Sequence, residues 1–126
     1  MGKTLLLIAA LSGFLAVALG AFGAHGLRGR LSPEMMAVFQ TGVQYHFYHT
    51  AALLVVALLL QYAPSTSGLA FSGICFVVGI VVFSGSLYLL AVSELRWLGA
   101  ITPLGGTALL VGWLALAWSA TKLPAL

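Results

Sequence analysis

From Leu69 to Val92 the sequence reads LAFSGICFVVGIVVFSGSLYLLAV, without one charged residue. About 20 apolar residues, rising 1.5 Å each, carry a helix across a hydrocarbon core about 30 Å thick. This stretch is long enough and greasy enough to do so. Three further runs of the same kind occupy 4–24, 43–62 and 99–120. All four are continuously apolar rather than alternating, which excludes the strands of a membrane barrel and leaves helices. The breaks hold turn chemistry: Gly26, Gly29, Ser32 and Pro33 in the first, Pro64 to Gly68 in the second, Glu94, Arg96 and Trp97 in the third. Connections this short make sequence neighbours antiparallel. The expectation is an all-α membrane protein, four antiparallel transmembrane helices in an up-down bundle, with 1–126 forming a single membrane domain.

The composition of the 126-residue chain agrees. Hydrophobic residues make up 62% and charged residues 6%, with a mean hydropathy of +1.14. A soluble domain carries roughly 25% charge, and a disordered chain lacks this much apolar content. The net charge of +3 rests on five scattered basic residues. They form no stripe, so no nucleic acid partner is expected and the bilayer is the partner. Cys75 is the single cysteine and forms no intrachain disulfide. Lys3, the apolar run behind it and Ala21-Phe22-Gly23 resemble a signal peptide, but the run is long for one, and it is read as a retained first span. Arg28, Arg30 and Arg96 in the first and third breaks outnumber Lys3 and Lys122 at the other side, which places both termini outside.

Small residues Ser12, Ala16 and Gly20 form a seam along span one. Ser72, Cys75, Gly79 and Ser86 do the same on span three, and Gly105, Ala108 and Gly112 on span four. Such seams let helix backbones approach in lipid, within one chain or in a homo-oligomer. Trp97, Trp113 and Trp118 are read as interfacial anchors.

Antiparallel threading brings most of the polar residues to one pole of the bundle. The residues are His25, Gln44, Tyr45, His46, Tyr48, His49, Ser84, Ser86, Tyr88 and Thr102, together with the charged Arg28, Arg30, Glu34, Glu94 and Arg96. Polar groups at membrane depth cost free energy unless paired, and usually face a bundle interior or a wet cavity. The ten uncharged side chains are therefore the candidate ligand-binding set. Glu94 and Arg96 are placed to form an interfacial ion pair. In span two, Ser32 suits a helix N-cap, Pro33 the first turn and Glu34 the positive end of the dipole. A helix from Pro33 to Tyr62 is about 45 Å long, so its start lies in the interface or projects. Helical spacing gathers Thr41, Gly42, Gln44, Tyr45, His46, Tyr48 and His49 in one arc, expected to face the other helices. Met36, Phe39, Val43 and Phe47 form the opposite stripe, expected to face lipid.

Four ordered segments also resemble the YgdD-like membrane proteins: Gly20-Ala21-Phe22-Gly23-Ala24-His25-Gly26-Leu27, Thr41-Gly42-Val43-Gln44-Tyr45-His46-Phe47-Tyr48-His49, Phe83-Ser84-Gly85-Ser86-Leu87-Tyr88-Leu89, and Leu98-Gly99-Ala100-Ile101-Thr102-Pro103-Leu104-Gly105-Gly106. The resemblance touches all four spans. It implies a small multi-pass protein of the bacterial inner (cytoplasmic) membrane, from a family of uncharacterised function that has small eukaryotic relatives. It brings no activity, cofactor or catalytic residue.

His46 and His49, at i and i+3, share a helix side, and His25 arrives from span one. Three readings stay open. The imidazoles are neutral groups hydrogen-bonded between helices, part of a ligand- or proton-handling pocket, or ligands of a metal or haem. No catalytic constellation accompanies them: there is no Asp, Glu34 and Glu94 sit near span ends, and Gly105-Gly106 lacks the Lys of a phosphate loop. The expectation is a non-enzymatic protein without a cofactor, whose polar pole binds a small molecule, a lipid headgroup or a partner subunit. The alternative is a metal- or haem-dependent redox component.

Overall fold

The computed structural model describes residues 1–125. It contains four long helices, α1 (Gly2–His25), α2 (Pro33–Tyr62), α3 (Leu69–Ser93) and α4 (Thr102–Ala120), with a 3₁₀ turn Arg96–Ala100 leading into α4. No strand occurs among the described residues. Each helix is long and apolar enough to cross a membrane. The up-down order is plain in the neighbours: Gly20 lies against Val43, Gly42 against Tyr88, and Gly112 against Phe76.

Local chemistry sets the ends. Ser32 Oγ accepts the Met35 N–H at 3.2 Å, and Pro33 occupies the first turn of α2. The structure thus starts α2 ten residues before the apolar run 43–62, which is the extended N-terminal part expected of it. Gly68 precedes α3 at φ +93°, where a side chain would be strained and would meet the Trp118 ring. Glu94 ends α3 in the left-handed region at φ 57°. Across that pole Arg96 pairs with Glu34 at 3.6 Å, not with Glu94 as expected. The left-handed turn separates Glu94 from Arg96, while the dipole end of α2 presents Glu34. Both side chains are well exposed, so the pair adds little stability.

α2 and α3 form the middle of the molecule, α1 packing on α2 and α4 on α3. Lipid tails are as apolar as the helices, so close van der Waals contact and interhelical hydrogen bonds hold such a bundle. On α1 the seam is used within the chain: Ala16 is fully buried, and a Cβ on Gly20 would touch Val43 at 3.4 Å. Between α3 and α4 the seams mesh. A Cβ on Gly105 would come 2.7 Å from the Phe83 Cα, and Ser72 Oγ donates to the Gly112 carbonyl at 2.8 Å. Within α3, Ile80–Ser84 forms one π-helical turn. Its widened backbone is the part that reaches Gly105.

The facing of α2 differs from the arc expected of it. Met35, Phe39, Gly42, His46, His49, Leu53, Val56 and Leu60 are all buried, in alternating steps of four and three. Phe39 is only 2% exposed, and Met36 and Val43 are half-buried; of the stripe expected to face lipid, only Phe47 is exposed. Gln44, Tyr45 and Tyr48 point outward instead. The 3.5-residue period of packed helices governs here. Polarity alone made the arc too wide.

Candidate functional site

His46 and His49 enter the interior because they occupy consecutive positions of that buried seam, yet they face different neighbours. His46 Nδ1 lies 2.9 Å from Tyr88 Oη on α3, and its Nε2 lies 3.0 Å from Ser12 Oγ on α1. Ser12 Oγ is in turn 2.6 Å from Thr50 Oγ1. The result is a chain of four hydrogen-bonding side chains, Tyr88–His46–Ser12–Thr50, tying three helices together. Apolar clusters flank it on both sides, Leu27, Phe39 and Ala91 toward one end and Leu5, Leu53, Val56 and Phe76 toward the other.

Along the apolar stretch 4–24 of α1, Ser12 is about 12 Å from one end and about 18 Å from the other at 1.5 Å per residue. Side chains lean toward their helix N-terminus, so the Tyr88 ring leans away from the polar end of α3 and into the membrane. By the same measure His46 is about 5 Å from the start of the apolar run 43–62 and Tyr88 about 6 Å from the end of 69–92, so the chain runs from the polar pole inward to Ser12.

His49 is held differently. Its Nδ1 is 2.7 Å from the Tyr45 carbonyl oxygen, and the Trp113 indole N–H donates to its Nε2 at 3.0 Å. A carbonyl can only accept and an indole N–H can only donate. Nδ1 must therefore carry the proton and Nε2 must be bare, which fixes a neutral imidazole in one tautomer. Phe76, Tyr45 and Trp113 rings pack around it, at centroid distances of 5.8, 5.9 and 6.0 Å. With both nitrogens used by obligate partners, His49 has no lone pair to offer a metal. His46 lies between hydroxyls, which donate or accept, so its tautomer is free to change.

The other candidate residues separate. Ser84 Oγ donates to the Gly42 carbonyl at 2.8 Å, and the Ser86 and Thr102 hydroxyls lie 2.6 Å apart, joining α3 to the start of α4. These are internal ties. Gln44 and Tyr48 face outward, and Tyr45 contributes its carbonyl to His49 and its ring to Phe83 at 4.7 Å. His25 is exposed at the end of α1, about 20 Å along the helix from Ser12, and does not join the other two histidines. Among the described residues no three His, Cys, Asp or Glu side chains converge. Ser12, Thr50 and Trp113 are the partners sequence reasoning missed as such. Ser12 stood in the small-residue seam and Trp113 among the interfacial anchors, although the polar His49 within the buried seam of α2 calls for a partner from a neighbouring helix.

Two membrane-facing clefts reach these networks. One, of about 410 Å³, opens between α1 and α3, with Leu11, Leu15 and Val81 on its walls and Ser12, His46 and Tyr88 at its floor. The other, of about 660 Å³, runs between α2 and α4 past Tyr48, His49, Thr107 and Trp113.

Residues 19–106 match the family described as Protein of unknown function (DUF423). The UPF0382 membrane protein YwdK of Bacillus subtilis is 45% identical over 120 residues, 95% of this chain and 98% of the relative. The chain belongs to this UPF0382 (DUF423) family. Other members include a UPF0382 membrane protein of Haemophilus influenzae, 43% identical over 97% of both chains. The UPF0382 inner membrane protein YgdD of Escherichia coli is 43% identical over 96% of this chain and 92% of its own. No solved structure matches significantly. Four membrane-crossing helices and these relatives make this UPF0382 chain a multi-pass protein of the bacterial inner membrane.

Proposed function

We propose that this UPF0382 protein is a non-enzymatic membrane protein that holds a small lipid-soluble molecule in the cleft between α1 and α3. One observation carries the reading: within the membrane-spanning helices, where polar groups are costly, the hydrogen-bonded and uncharged Tyr88, His46 and Ser12 floor an otherwise apolar cleft that opens to lipid. Its volume suits a small ligand. Structural ties alone would be served by closed pairs such as Ser86–Thr102, whereas this chain borders open space. Native mass spectrometry of the full chain extracted from membranes, with metal analysis of the same sample, tests the reading. A retained lipid-soluble species, lost when Leu15→Trp fills the cleft, is expected. A bound metal or haem lost in His46→Gln would overturn it in favour of a redox role.

A second reading, association with another copy or a membrane partner, rests on Gln40, Gln44 and Tyr48, exposed in a row along α2. Cysteine cross-linking from Gln44→Cys in native membranes checks it. A discrete cross-linked species supports the reading, and monomer alone removes it.

A further inference from the structure

The outer face of α2 differs from those of the other helices. α1, α3 and α4 turn large apolar side chains outward, among them Phe14, Val81 and Leu114. On α2, opposite the buried seam, Ala37, Gln44, Ala51 and Leu58 follow one another at seven-residue steps, and all four are exposed. Such positions drift by only about 20° per step on a straight helix, and a slight supercoil aligns them into one seam. Gln44 lies inside the apolar run of its own helix, and its neighbour Val43 packs beside Gly20, inside the run of α1 as well. An exposed threonine in a span satisfies itself on the carbonyl four residues back, as Thr107 does on Pro103 at 2.9 Å. Gln44 finds no such solution. Among the described residues, the α2 side chains that hydrogen-bond are Thr41, His46, His49, Thr50 and Tyr62, and the Gln44 carboxamide is without a partner. A polar group left unpaired in a span is costly, and glutamines in lipid bond from helix to helix.

Resting on the association reading given above, we infer that this face pairs with the same face of a second copy. The two α2 helices run parallel, and Gln44 meets its equivalent at the two-fold axis. Three features select a second copy. Copies inserted with one orientation, as the basic count predicts, are related by an axis along the membrane normal, so equal residues of α2 come opposite each other. A carboxamide carries both N–H donors and a carbonyl acceptor, so two of them bond reciprocally and need no chemistry that the chain lacks. Glu34 is the single charged residue of α2 and is paired with Arg96, so the two faces do not repel. Ala37 and Ala51, one step to either side of Gln44, let the backbones approach closely enough for the carboxamides to meet, and Leu58 extends the contact.

The test uses the full chain, with Cys75→Ala as background, in native membranes and, labelled for energy transfer, in liposomes. Ala37→Cys, Ala51→Cys and Leu58→Cys, which leave Gln44 in place, should each give disulfide-linked dimers. Phe14→Cys and Leu114→Cys, at strongly exposed positions of α1 and α4, should not. Energy transfer between labelled copies should persist on dilution with lipid. Gln44→Leu should weaken the dimer about tenfold, the worth of two interhelical hydrogen bonds in lipid, and Gln44→Asn should recover most of it. Ala51→Trp should abolish the dimer, and its exposed position means that no internal contact is disturbed. Dimers linked only through Phe14→Cys or Leu114→Cys overturn the α2 face and keep association. Self-linking at Ala51→Cys alone overturns the parallel arrangement. A linked species of a mass other than twice the chain overturns the second copy in favour of a different membrane partner. Energy transfer indifferent to Gln44→Leu overturns the glutamine pairing. No linked species from any position, with no energy transfer, overturns the association reading itself.

Discussion

His46 and His49 are three residues apart on one helix and have different chemical freedom, because one meets hydroxyls and the other meets a carbonyl and an indole. Trp113→Phe should leave His49 Nε2 without a donor and lower stability by about 1 kcal/mol. That lies between the ~0.6 kcal/mol average for interhelical bonds in lipid and the ~1–3 kcal/mol cost of an orphaned buried group. Thermal unfolding in a mild detergent would show it, and ligand retention in the other cleft should be unchanged. An unchanged melting temperature would mean that the indole bond is not formed in the membrane. The sequence made both histidines conspicuous but could not distinguish them. Ser12 and Trp113 come from α1 and α4, and which helix faces which nitrogen is a matter of three-dimensional packing.

At the scale of elements, α2 and the π turn of α3 position the site. The alternation Met35, Phe39, Gly42, His46, His49, Leu53, Val56, Leu60 was present in the sequence as a 3.5-residue seam. Its reading failed at Phe39 and Gln44, where polarity was taken to mark the inward face. A long helix that emerges from the core can expose Gln44 near its edge and bury Phe39 under Tyr88, whose rings lie 5.0 Å apart. The π turn Ile80–Ser84 was not legible, because nothing in Ile-Val-Val-Phe-Ser distinguishes a widened turn from an ordinary one; contact with Gly105 reveals it. Deleting Val82 should restore a regular helix and rotate Tyr88 by about 100° relative to the preceding half of α3. A cysteine cross-link between positions 46 and 88 should form in the full-length background and fail in the deletion. Gly105→Leu should separate α3 from α4 by overlap with the Phe83 backbone, costing about 1–3 kcal/mol or more in thermal unfolding. Gly106→Ala, where a Cβ has ordinary contacts, should be close to neutral.

For the whole molecule, composition and four uncharged runs were enough to establish the architecture, since hydrocarbon leaves the backbone few alternatives. Four crossings put the N- and C-termini on one side, and the three-to-two basic count predicts that side to be outside. Reporter fusions at both ends should give the same sign; opposite signs would break the bundle. Depth within the bundle was harder to read, because it depends on where each helix begins relative to its neighbours. The most direct test of the account is the ¹⁵N spectrum of the two imidazoles in lipid bilayers, with the α1/α3 cleft open and blocked by Leu15→Trp. The account predicts His49 as one Nδ1–H tautomer in both, while His46 changes its tautomer balance with the state of the cleft. A His49 protonated on Nε2, or a His46 indifferent to the blocked cleft, would contradict it.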